Sequence, residues 1–174
     1  AEIRPEGMPF HLLNKPLKDG STLDVPRGVT VMVDRGAVLK LRRARIGTGS
    51  SSPTIDRSAG AFQVLGTPRL VDAAGQVVRD SNGNPVPGSV FFTSLNDEEL
   101  GGDSNTSVST TPQPGEWGGI AFRNDLDRAL GRFDWEQEGI FLNYVNQADI
   151  RYGGGTVVVS SDPQTVNPIH ATDA

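Results

Sequence analysis

Three acidic residues at alternate positions form the first group that could do chemistry. Asp134, Glu136 and Glu138 are separated by single residues, so on an extended run their carboxylates would point the same way. A retaining glycosidase needs two carboxyl groups about 5 to 5.5 Å apart, one of them kept protonated by burial. Same-face neighbours on a strand lie about 6.5 to 7 Å apart at the backbone, so this spacing allows the chemistry but also arises by chance. The three residues are candidate acids for an enzymatic alternative, and we favour solvated loop charge.

A second group of oxygen donors lies in a polar segment that contains glycine. Asp97, Asp103 and Asn105 surround Gly101 and Gly102, whose backbone carbonyls would be accessible. Hard cations such as Ca²⁺ bind about six to eight oxygen ligands, from carboxylates, amides and backbone carbonyls. The sequence therefore predicts a calcium site here. The alternative is a set of Asx turns that satisfy the backbone without metal.

A less complete calcium pattern precedes it. Asp80, Asn82 and Asn84, with Gly83 between the last two, imitate the first half of an EF-hand loop. No Glu closes the loop at the twelfth position. An Asx turn is again the alternative, and here it is the one we favour.

Two tryptophans are candidates for ligand contact. Trp117 and Trp135 flank a predicted strand at residues 119–122. An exposed indole ring can stack on a sugar, which predicts glycan binding. The favoured alternative is that such a residue folds over the core of its own chain.

Composition and charge exclude several classes of protein. The 174 residues fit one domain, and 21 Gly with 12 Pro indicate many turns. A net charge of -5 argues against nucleic-acid binding, and the absence of Cys excludes disulfides and thiolate chemistry. No apolar run is long enough to predict a membrane span. The densest basic run, from Lys40 to Arg45, is interpreted as a solvated strand edge that blocks edge pairing.

The elements that would position these residues are short strands separated by tight corners. Strands are predicted at 119–122, 140–145 and 148–152, with only Asn146 and Gln147 between the last two. A two-residue hairpin would be expected to contain Gly, as in Asn-Gly, so the chain more readily bends here and continues in another sheet. That is how one turn of a parallel β-solenoid is built.

The first half of the chain repeats this arrangement. Strands predicted at 22–25, 29–33 and 37–41 are separated by the corners Pro26-Arg27-Gly28 and Asp34-Arg35-Gly36, which gives one triangular turn of roughly twenty residues. An antiparallel meander is the alternative. Further strands are predicted at 44–46, 61–65 and 89–93. The predicted core contains Val31, Val64, Phe92, Ile120, Phe122, Leu142, Ile150 and Val158.

Insertions interrupt the predicted solenoid. Residues 69–88 are expected to fold back as a hairpin, and the polar loop at 94–116 is long enough to be functional or ordered by metal. Residues 1–20 are expected to be an irregular lead-in that caps the first coil. The β-helix domain is predicted over 21–174, with an incomplete fourth coil that begins at Thr156 and has Ile169 in its second strand.

Several segments together resemble a known family. They are Gly28-Val29-Thr30-Val31 with Gly36-Ala37-Val38-Leu39-Lys40-Leu41, Val64-Leu65-Gly66-Thr67-Pro68, Phe92-Thr93-Ser94, Gly101-Gly102-Asp103, Gly115-Glu116-Trp117-Gly118-Gly119-Ile120 and Ile150-Arg151-Tyr152-Gly153-Gly154. With them the chain resembles secreted right-handed parallel β-helix proteins of the pectin-lyase-like fold, in particular very large bacterial cell-surface proteins. The resemblance implies an extracellular or surface-attached solenoid used for adhesion, display or glycan contact.

The sequence departs from the enzymes of that fold. Pectate lyases and polygalacturonases carry clustered Asp, Arg, Lys or His on one exposed sheet, and no Asn-Thr-Asp, Asp-Asp or Gly-His-Gly motif occurs here. His11 and His170 lie at opposite ends of the chain, and neither is in a setting typical of a general base.

The sequence therefore predicts an all-β, right-handed parallel β-helix with long loop insertions. We expect a structural or adhesive module of an exported bacterial protein, steadied by Ca²⁺ and contacting glycans or cell-surface components. The alternatives are a polysaccharide lyase or glycoside hydrolase of the same fold, and a β-sandwich carbohydrate-binding module. An end-to-end homodimer or further domains of a longer parent chain are expected to cover the open last coil.

Overall fold

The computed structural model describes residues 2–3, 9–13, 21–50, 56–103, 106–123, 143–159 and 162–172. This part of the chain is all-β and contains no helix, so it contains no helix long and apolar enough to cross a membrane. The strands are β1 Glu2–Ile3, β2 Phe10–Leu13, β3 Leu23–Asp24, β4 Thr30–Asp34, β5 Val38–Arg42, β6 Arg45–Thr48, β7 Ala61–Leu65, β8 Val90–Ser94, β9 Gly119–Arg123, β10 Tyr144–Asn146, β11 Ala148–Ile150, β12 Thr156–Val159, β13 Asp162–Thr165 and β14 Ile169–Thr172.

Twelve of these strands form three parallel sheets of four. Sheet A has the order β1-β4-β7-β10, sheet B the order β2-β5-β8-β11, and sheet C the order β3-β6-β9-β14. Consecutive strands from β1 to β9 therefore lie in different sheets. Each strand from β1 to β8 pairs with the strand three places along the chain, and β9 pairs with β14. We call each set of one strand per sheet a tier: β1 to β3, β4 to β6, β7 to β9, and β10 with β11 and β14.

The register of the pairing aligns apolar residues from tier to tier. We call each aligned set a column. The columns are Ile3, Val33, Val64 and Val145 in sheet A, Phe10, Leu39, Phe92 and Ile150 in sheet B, and Leu23, Ile46, Ile120 and Ile169 in sheet C. Paired residues on parallel strands point to the same side of the sheet, so each column contributes to one face.

Side chains from all three sheets meet in one hydrophobic cluster. Its two middle tiers are fully enclosed, and Phe92 lies at the centre, with its ring centroid 6.3 Å from that of Phe62 and 6.4 Å from that of Trp117. Of the predicted core, Val31, Val64, Phe92, Ile120 and Phe122 are buried and Ile150 packs against them. Leu142 lies outside the described residues, and Val158 is on β12, which belongs to none of the three sheets.

The bend predicted at Asn146-Gln147 is confirmed. Strand β10 pairs in parallel with β7 in sheet A, whereas β11 pairs in parallel with β8 in sheet B. Gln147 makes the corner with a φ of 44°, a left-handed conformation that is uncommon outside glycine. The predicted corners at Gly28 and Gly36 also have positive φ values, of 68° and 76°.

Two predictions about secondary structure are wrong. Within residues 1–20, expected to be irregular, β1 and β2 pair in parallel with β4 and β5. Thr156 does not begin a fourth coil, because β12 pairs antiparallel with β13 as a separate hairpin. The fourth tier instead begins at β10, and β14 completes it by pairing with β9. In both places long-range pairing decides the structure, and local sequence carries little signal for it.

The insertion between β7 and β8 folds back on itself, as predicted. Antiparallel bridges join Thr67 to Gly88 and Val71 to Val77. Its two tight turns have the same geometry: the Oδ1 atom of Asp72 accepts hydrogen bonds from the backbone N–H groups two and four residues later, and Asp80 does the same. The first turn contains alanines in place of Ser81 and Asn82, so this geometry does not need the extra oxygen donors of the second.

Candidate functional site

Two clefts among the described residues lie where the chain passes from sheet B to sheet C, which we call the BC corner. It comprises residues 43–44 in the second tier, 95–118 in the third and 151–168 in the fourth. The last two segments are bonded together, because the N–H groups of Gly115 and Glu116 both donate to the carbonyl oxygen of Tyr152 at 3.0 Å. A Cβ at Gly155 would lie 1.9 Å from the carbonyl oxygen of Gly115, so this close contact requires glycine.

Trp117 lies beneath the BC corner and not on its surface. Its side chain is 1% exposed, and its Nε1–H donates to the carbonyl oxygen of Arg151 at 2.7 Å. The ring also stacks against Phe92, with an interplanar angle of 26°. No face of Trp117 is open to a sugar, which contradicts its predicted ligand role and agrees with the core-covering alternative. Trp135 lies outside the described residues.

Asp97 is a buried carboxylate at the start of the 95–118 segment. It is 1% exposed, its Oδ2 accepts a hydrogen bond from the Thr93 hydroxyl, and its Oδ1 accepts one from the Glu99 N–H at 3.1 Å. Thr93 is the outward-facing partner of Lys40 across strands β8 and β5. Asp97 thus sits over the outer face of sheet B, beside a lysine on the neighbouring strand.

Lys40 is also buried, with 0% of its side chain exposed. Its ammonium group donates to the carbonyl oxygen of Gly102 and is attracted by the carboxylates of Asp97, Asp103 and Glu98. Burial lowers the pKa of Lys40, and the three carboxylates oppose that effect. The interpretation of this basic run as a solvated strand edge is therefore wrong for Lys40, because β5 lies between β2 and β8 and a loop covers it.

The predicted calcium ligands do not form one cluster in the described part of the chain. Asp97 is buried with both oxygens hydrogen-bonded, Asp103 is exposed, and Asn105 lies outside the described residues. Across the ranges that the structure covers, no three His, Asp or Glu side chains are grouped to hold a metal. Calcium binding at this loop stays a prediction, and the contacts favour Lys40 as the source of positive charge. At Asp80, Asn82 and Asn84, the Oδ1 bonds of Asp80 are those of the Asx-turn alternative.

Glu98 closes the loop a few residues further on. It accepts hydrogen bonds from the N–H and the hydroxyl of Thr110, the latter at 2.9 Å, and from the hydroxyl of Ser109 at 3.3 Å. The bond from the Thr110 N–H is the largest cause of a lowered pKa at Glu98. These hydrogen bonds to the charged carboxylate of Glu98 join two parts of the 95–118 segment. We call this contact the Glu98–Thr110 staple.

Two open clefts flank these loops. An acidic cleft of about 310 Å³ is lined by Asp97, Glu98, Glu99, Thr110, Thr111, Pro112 and Tyr152. A basic cleft of about 450 Å³ is lined by Arg42, Arg43, Asn96, Gly115, Glu116 and Thr156. The acidic cleft combines carboxylate and hydroxyl groups with the half-buried Tyr152, which is the mixture of acceptors and an aromatic ring that sugars bind.

Sequence reasoning did not single out Tyr152 as a site residue. It is the last residue of the strand predicted at 148–152, but β11 ends at Ile150, and Tyr152 lines the acidic cleft where its φ of 59° turns the chain out of sheet B. A bulky residue in this conformation carries no distinctive sequence signal. Its place at the cleft depends on the third-tier loop at 95–118, which lines the same cleft.

The remaining candidates are the three acidic residues and the two histidines. Asp134, Glu136 and Glu138 lie outside the described residues, so the enzymatic alternative is not tested by their geometry. His11 is exposed on the outer face of β2, where its pKa is lowered first by partial burial and then by the charge of Lys40. His170 is on β14, at the far end of sheet C.

Comparison with protein-family models, with curated proteins and with solved structures finds no match for this chain.

Proposed function

We propose that the chain is a right-handed parallel β-helix that serves as a structural and adhesive module of an exported bacterial surface protein, and that it contacts glycans at the BC corner. The observation that carries the proposal is that strands β1 to β8 each pair in parallel with the strand three places along the chain, and that β9 pairs in parallel with β14 after the β12–β13 hairpin. A solenoid with three strands per turn accounts for that order directly.

The rival architectures predict a different pairing. An antiparallel meander or a β-sandwich joins neighbouring strands of the chain by hairpins. In the part of the chain with described structure, antiparallel pairing is confined to the β12–β13 hairpin and the insertion at 67–88. The right-handed sense follows from the strong preference for right-handed crossovers between parallel strands.

A scaffold role is supported by where the polar groups lie. The three columns of apolar residues fill the interior, while the elaborated segments are insertions at corners that leave the strand register intact. Binding residues are commonly carried on loops that a rigid scaffold holds in place. The acidic cleft fits neutral or basic glycans best, since carboxylates accept hydrogen bonds from sugar hydroxyl and amino groups and the Tyr152 ring offers an apolar surface.

A panel of immobilised neutral, amino-containing and acidic glycans tests this proposal. We expect the protein to bind a neutral or amino sugar, and Glu99→Gln to weaken that binding roughly 10-fold, because hydrogen bonds to charged groups contribute about 1.5 to 3 kcal/mol. Arg69→Gln, an exposed charge at another corner, is the matched control and should bind like the wild type. Absence of binding, or an equal loss in the control, would overturn the proposal. Release of reducing ends or unsaturated sugars would indicate the lyase or hydrolase alternative.

A further inference from the structure

The basic cleft is assembled from three tiers of the stack. Arg42 and Arg43 belong to the second tier, Asn96 and Glu116 to the third, and Thr156 to the fourth. Its volume of about 450 Å³ is within the range of about 300 to 1,000 Å³ that small-ligand sites occupy. The stacking of the strands, and not one loop alone, therefore sets the position of this cleft.

Backbone hydrogen bonds fix the three tiers to each other at this point. The Arg43 N–H donates to the carbonyl oxygen of Glu116 at 2.8 Å, and the Glu116 N–H donates to that of Tyr152 at 3.0 Å. Arg43 also has a φ of 50°, in the left-handed region that residues other than glycine rarely adopt. Such conformations persist only where the surroundings hold them, and they are concentrated at functional sites.

The Glu116 carboxylate is a fixed hydrogen-bond acceptor in the cleft. Its Oε2 accepts a hydrogen bond from the Ser94 hydroxyl, and its Oε1 accepts one from the Asn96 side-chain amide at 2.8 Å. A carboxylate has about four acceptor sites, so about two remain after these bonds. The hydroxyl groups of a sugar are suitable donors to them.

Two guanidinium groups make the cleft positive. Arg42 and Arg43 are both exposed, and among the residues with described structure neither forms an ion pair. With the Glu116 carboxylate they give the lining a net charge of +1, whereas the whole chain carries -5. The cleft is therefore suited to an anion, and a group with a single negative charge balances it.

We propose that the basic cleft binds a sulfated sugar, with the sulfate ester at Arg42 and Arg43 and a neighbouring sugar hydroxyl at Glu116. A sulfate ester carries one negative charge and three terminal oxygens, so each guanidinium can donate to a different oxygen. The hydroxyl of Thr156 is a further donor at the edge of the cleft. This cleft shares no lining residue with the acidic cleft, and the proposal does not depend on whether the acidic cleft binds neutral or amino sugars.

Other anions fit this lining less well. A phosphate monoester carries a charge of about -1.5 to -2 at neutral pH, which exceeds the positive charge of the cleft. A carboxylate carries the right charge but has only two oxygens, and the fork of one arginine binds both of them. The second arginine would then have no oxygen of its own to bind.

Calorimetric titration with a single glucose tetrasaccharide tests the choice of anion. The sugar is prepared in sulfated, phosphorylated, carboxylated and unmodified forms. We expect the sulfated form to bind most tightly, and to bind more weakly as NaCl is added, because salt screens exposed charges. Inorganic sulfate should bind more weakly than the sulfated sugar, since it has no hydroxyl group for Glu116. No binding of the sulfated form, or equal or tighter binding of the phosphorylated or carboxylated form, would overturn the proposal. Equal affinity for inorganic sulfate would overturn the role of the sugar.

Substitutions at the two arginines test the location of the site. Arg42→Gln and Arg43→Gly should each weaken binding of the sulfated sugar roughly 10-fold, because each removes charge-assisted hydrogen bonds. Glycine adopts a positive φ without strain, so Arg43→Gly keeps the corner while it removes the guanidinium. Melting curves establish that both variants are folded. Arg69→Gln, at another corner, is the matched control and should bind like the wild type. An equal loss in Arg69→Gln, or no loss in either Arg42→Gln or Arg43→Gly, would overturn the site.

A variant of the acidic cleft separates this inference from the proposed function. Glu99→Gln should bind the sulfated sugar like the wild type, and Arg42→Gln should keep the binding of neutral or amino sugars. Loss of sulfated-sugar binding in Glu99→Gln would place the sulfated sugar in the acidic cleft and overturn this inference alone. Binding of the sulfated sugar without any binding of neutral or amino sugars would support this inference and overturn the role proposed for the acidic cleft.

Discussion

The ammonium group of Lys40 donates a hydrogen bond to the carbonyl oxygen of Gly102, 62 residues further along the chain. The bond joins the outer face of β5 to the loop that follows β8. It also places a buried positive charge close to the buried carboxylate of Asp97. The path of the loop over sheet B thus depends on two charged residues that water does not reach.

Replacing Lys40 should destabilise the protein through that charge. We expect Lys40→Met to lower the free energy of unfolding by about 3 kcal/mol, because it removes the ammonium beside a buried carboxylate and leaves the Gly102 carbonyl without its donor. Lys40→Met combined with Asp97→Asn should cost less than the sum of the two single changes. Urea denaturation of the four proteins gives the coupling. Arg42→Met is the control, since Arg42 lies on the same face of β5 but is exposed. Strict additivity would show that the two charges do not interact.

A chelator tests whether Lys40 or a bound metal ion supplies the positive charge beside Asp97. Calcium binding at Asp97, Asp103 and Asn105 should make the melting temperature of the wild type lower in excess EDTA than in excess calcium, whereas neutralisation of Asp97 by Lys40 alone would leave it the same. A ligand that binds only the folded state raises stability by mass action, about 2.7 kcal/mol at a hundredfold excess over its Kd. A lower melting temperature in EDTA would therefore support the calcium prediction for Asp97, Asp103 and Asn105.

The Glu98–Thr110 staple should open in acid. The pKa of Glu98 is lowered in the folded protein, so its stabilising effect is complete above the ordinary glutamate pKa and is lost as pH falls through the lower, folded-state value. We expect the hydrogen-exchange protection factor of the Thr110 amide to fall over that acidic range. In Glu98→Gln it should be low at every pH, and in the neighbouring Glu99→Gln it should follow the wild type. A protection factor independent of pH in the wild type would refute the staple.

Replacing Ile by Ala should lower stability by different amounts in different tiers of the same column. Ile120 and Ile169 are paired in sheet C, but the first is 1% exposed and the second 44%. We expect Ile120→Ala to cost about 2 to 5 kcal/mol, because it leaves a cavity, and Ile169→Ala to cost less than about 1 kcal/mol. Chemical denaturation of the two variants makes the comparison. Equal losses at both positions would mean that the end of the stack is covered in solution.

The middle tiers were predictable because local sequence and tertiary position agree there. Alternation at Val31 and Val33 places β4, and glycines with positive φ mark the corners at Gly28 and Gly36. The bend at Asn146 was predicted because Asn146-Gln147 lacks the Gly that a two-residue hairpin is expected to contain. In each case the residue types themselves limit what the backbone can do.

The features that were not predicted depend on pairing or contact with residues far away in the sequence. Strands β1 and β2 are short, with Pro5 and Pro9 nearby, and they are recognisable only by their pairing with the second tier. Strand β13 contains Pro163 and polar residues, so nothing local predicts that it pairs with β12. Lys40 lies in a run of charges typical of solvated surface. Its burial is decided by a loop that crosses sheet B more than fifty residues later in the chain.

The insertion between β7 and β8 has a consequence for how such a chain can change over time. Thr67 and Gly88 exchange two backbone hydrogen bonds, at 2.9 and 3.0 Å, so the segment leaves and rejoins the stack at a single point. A change in the length of the insertion therefore leaves the pairing register of β7 and β8 unchanged. Lengthening a loop costs little free energy, since the closure entropy grows only with the logarithm of its length. The sheet A to sheet B corner of the third tier can thus accept gained or lost sequence, while the neighbouring columns keep their alignment.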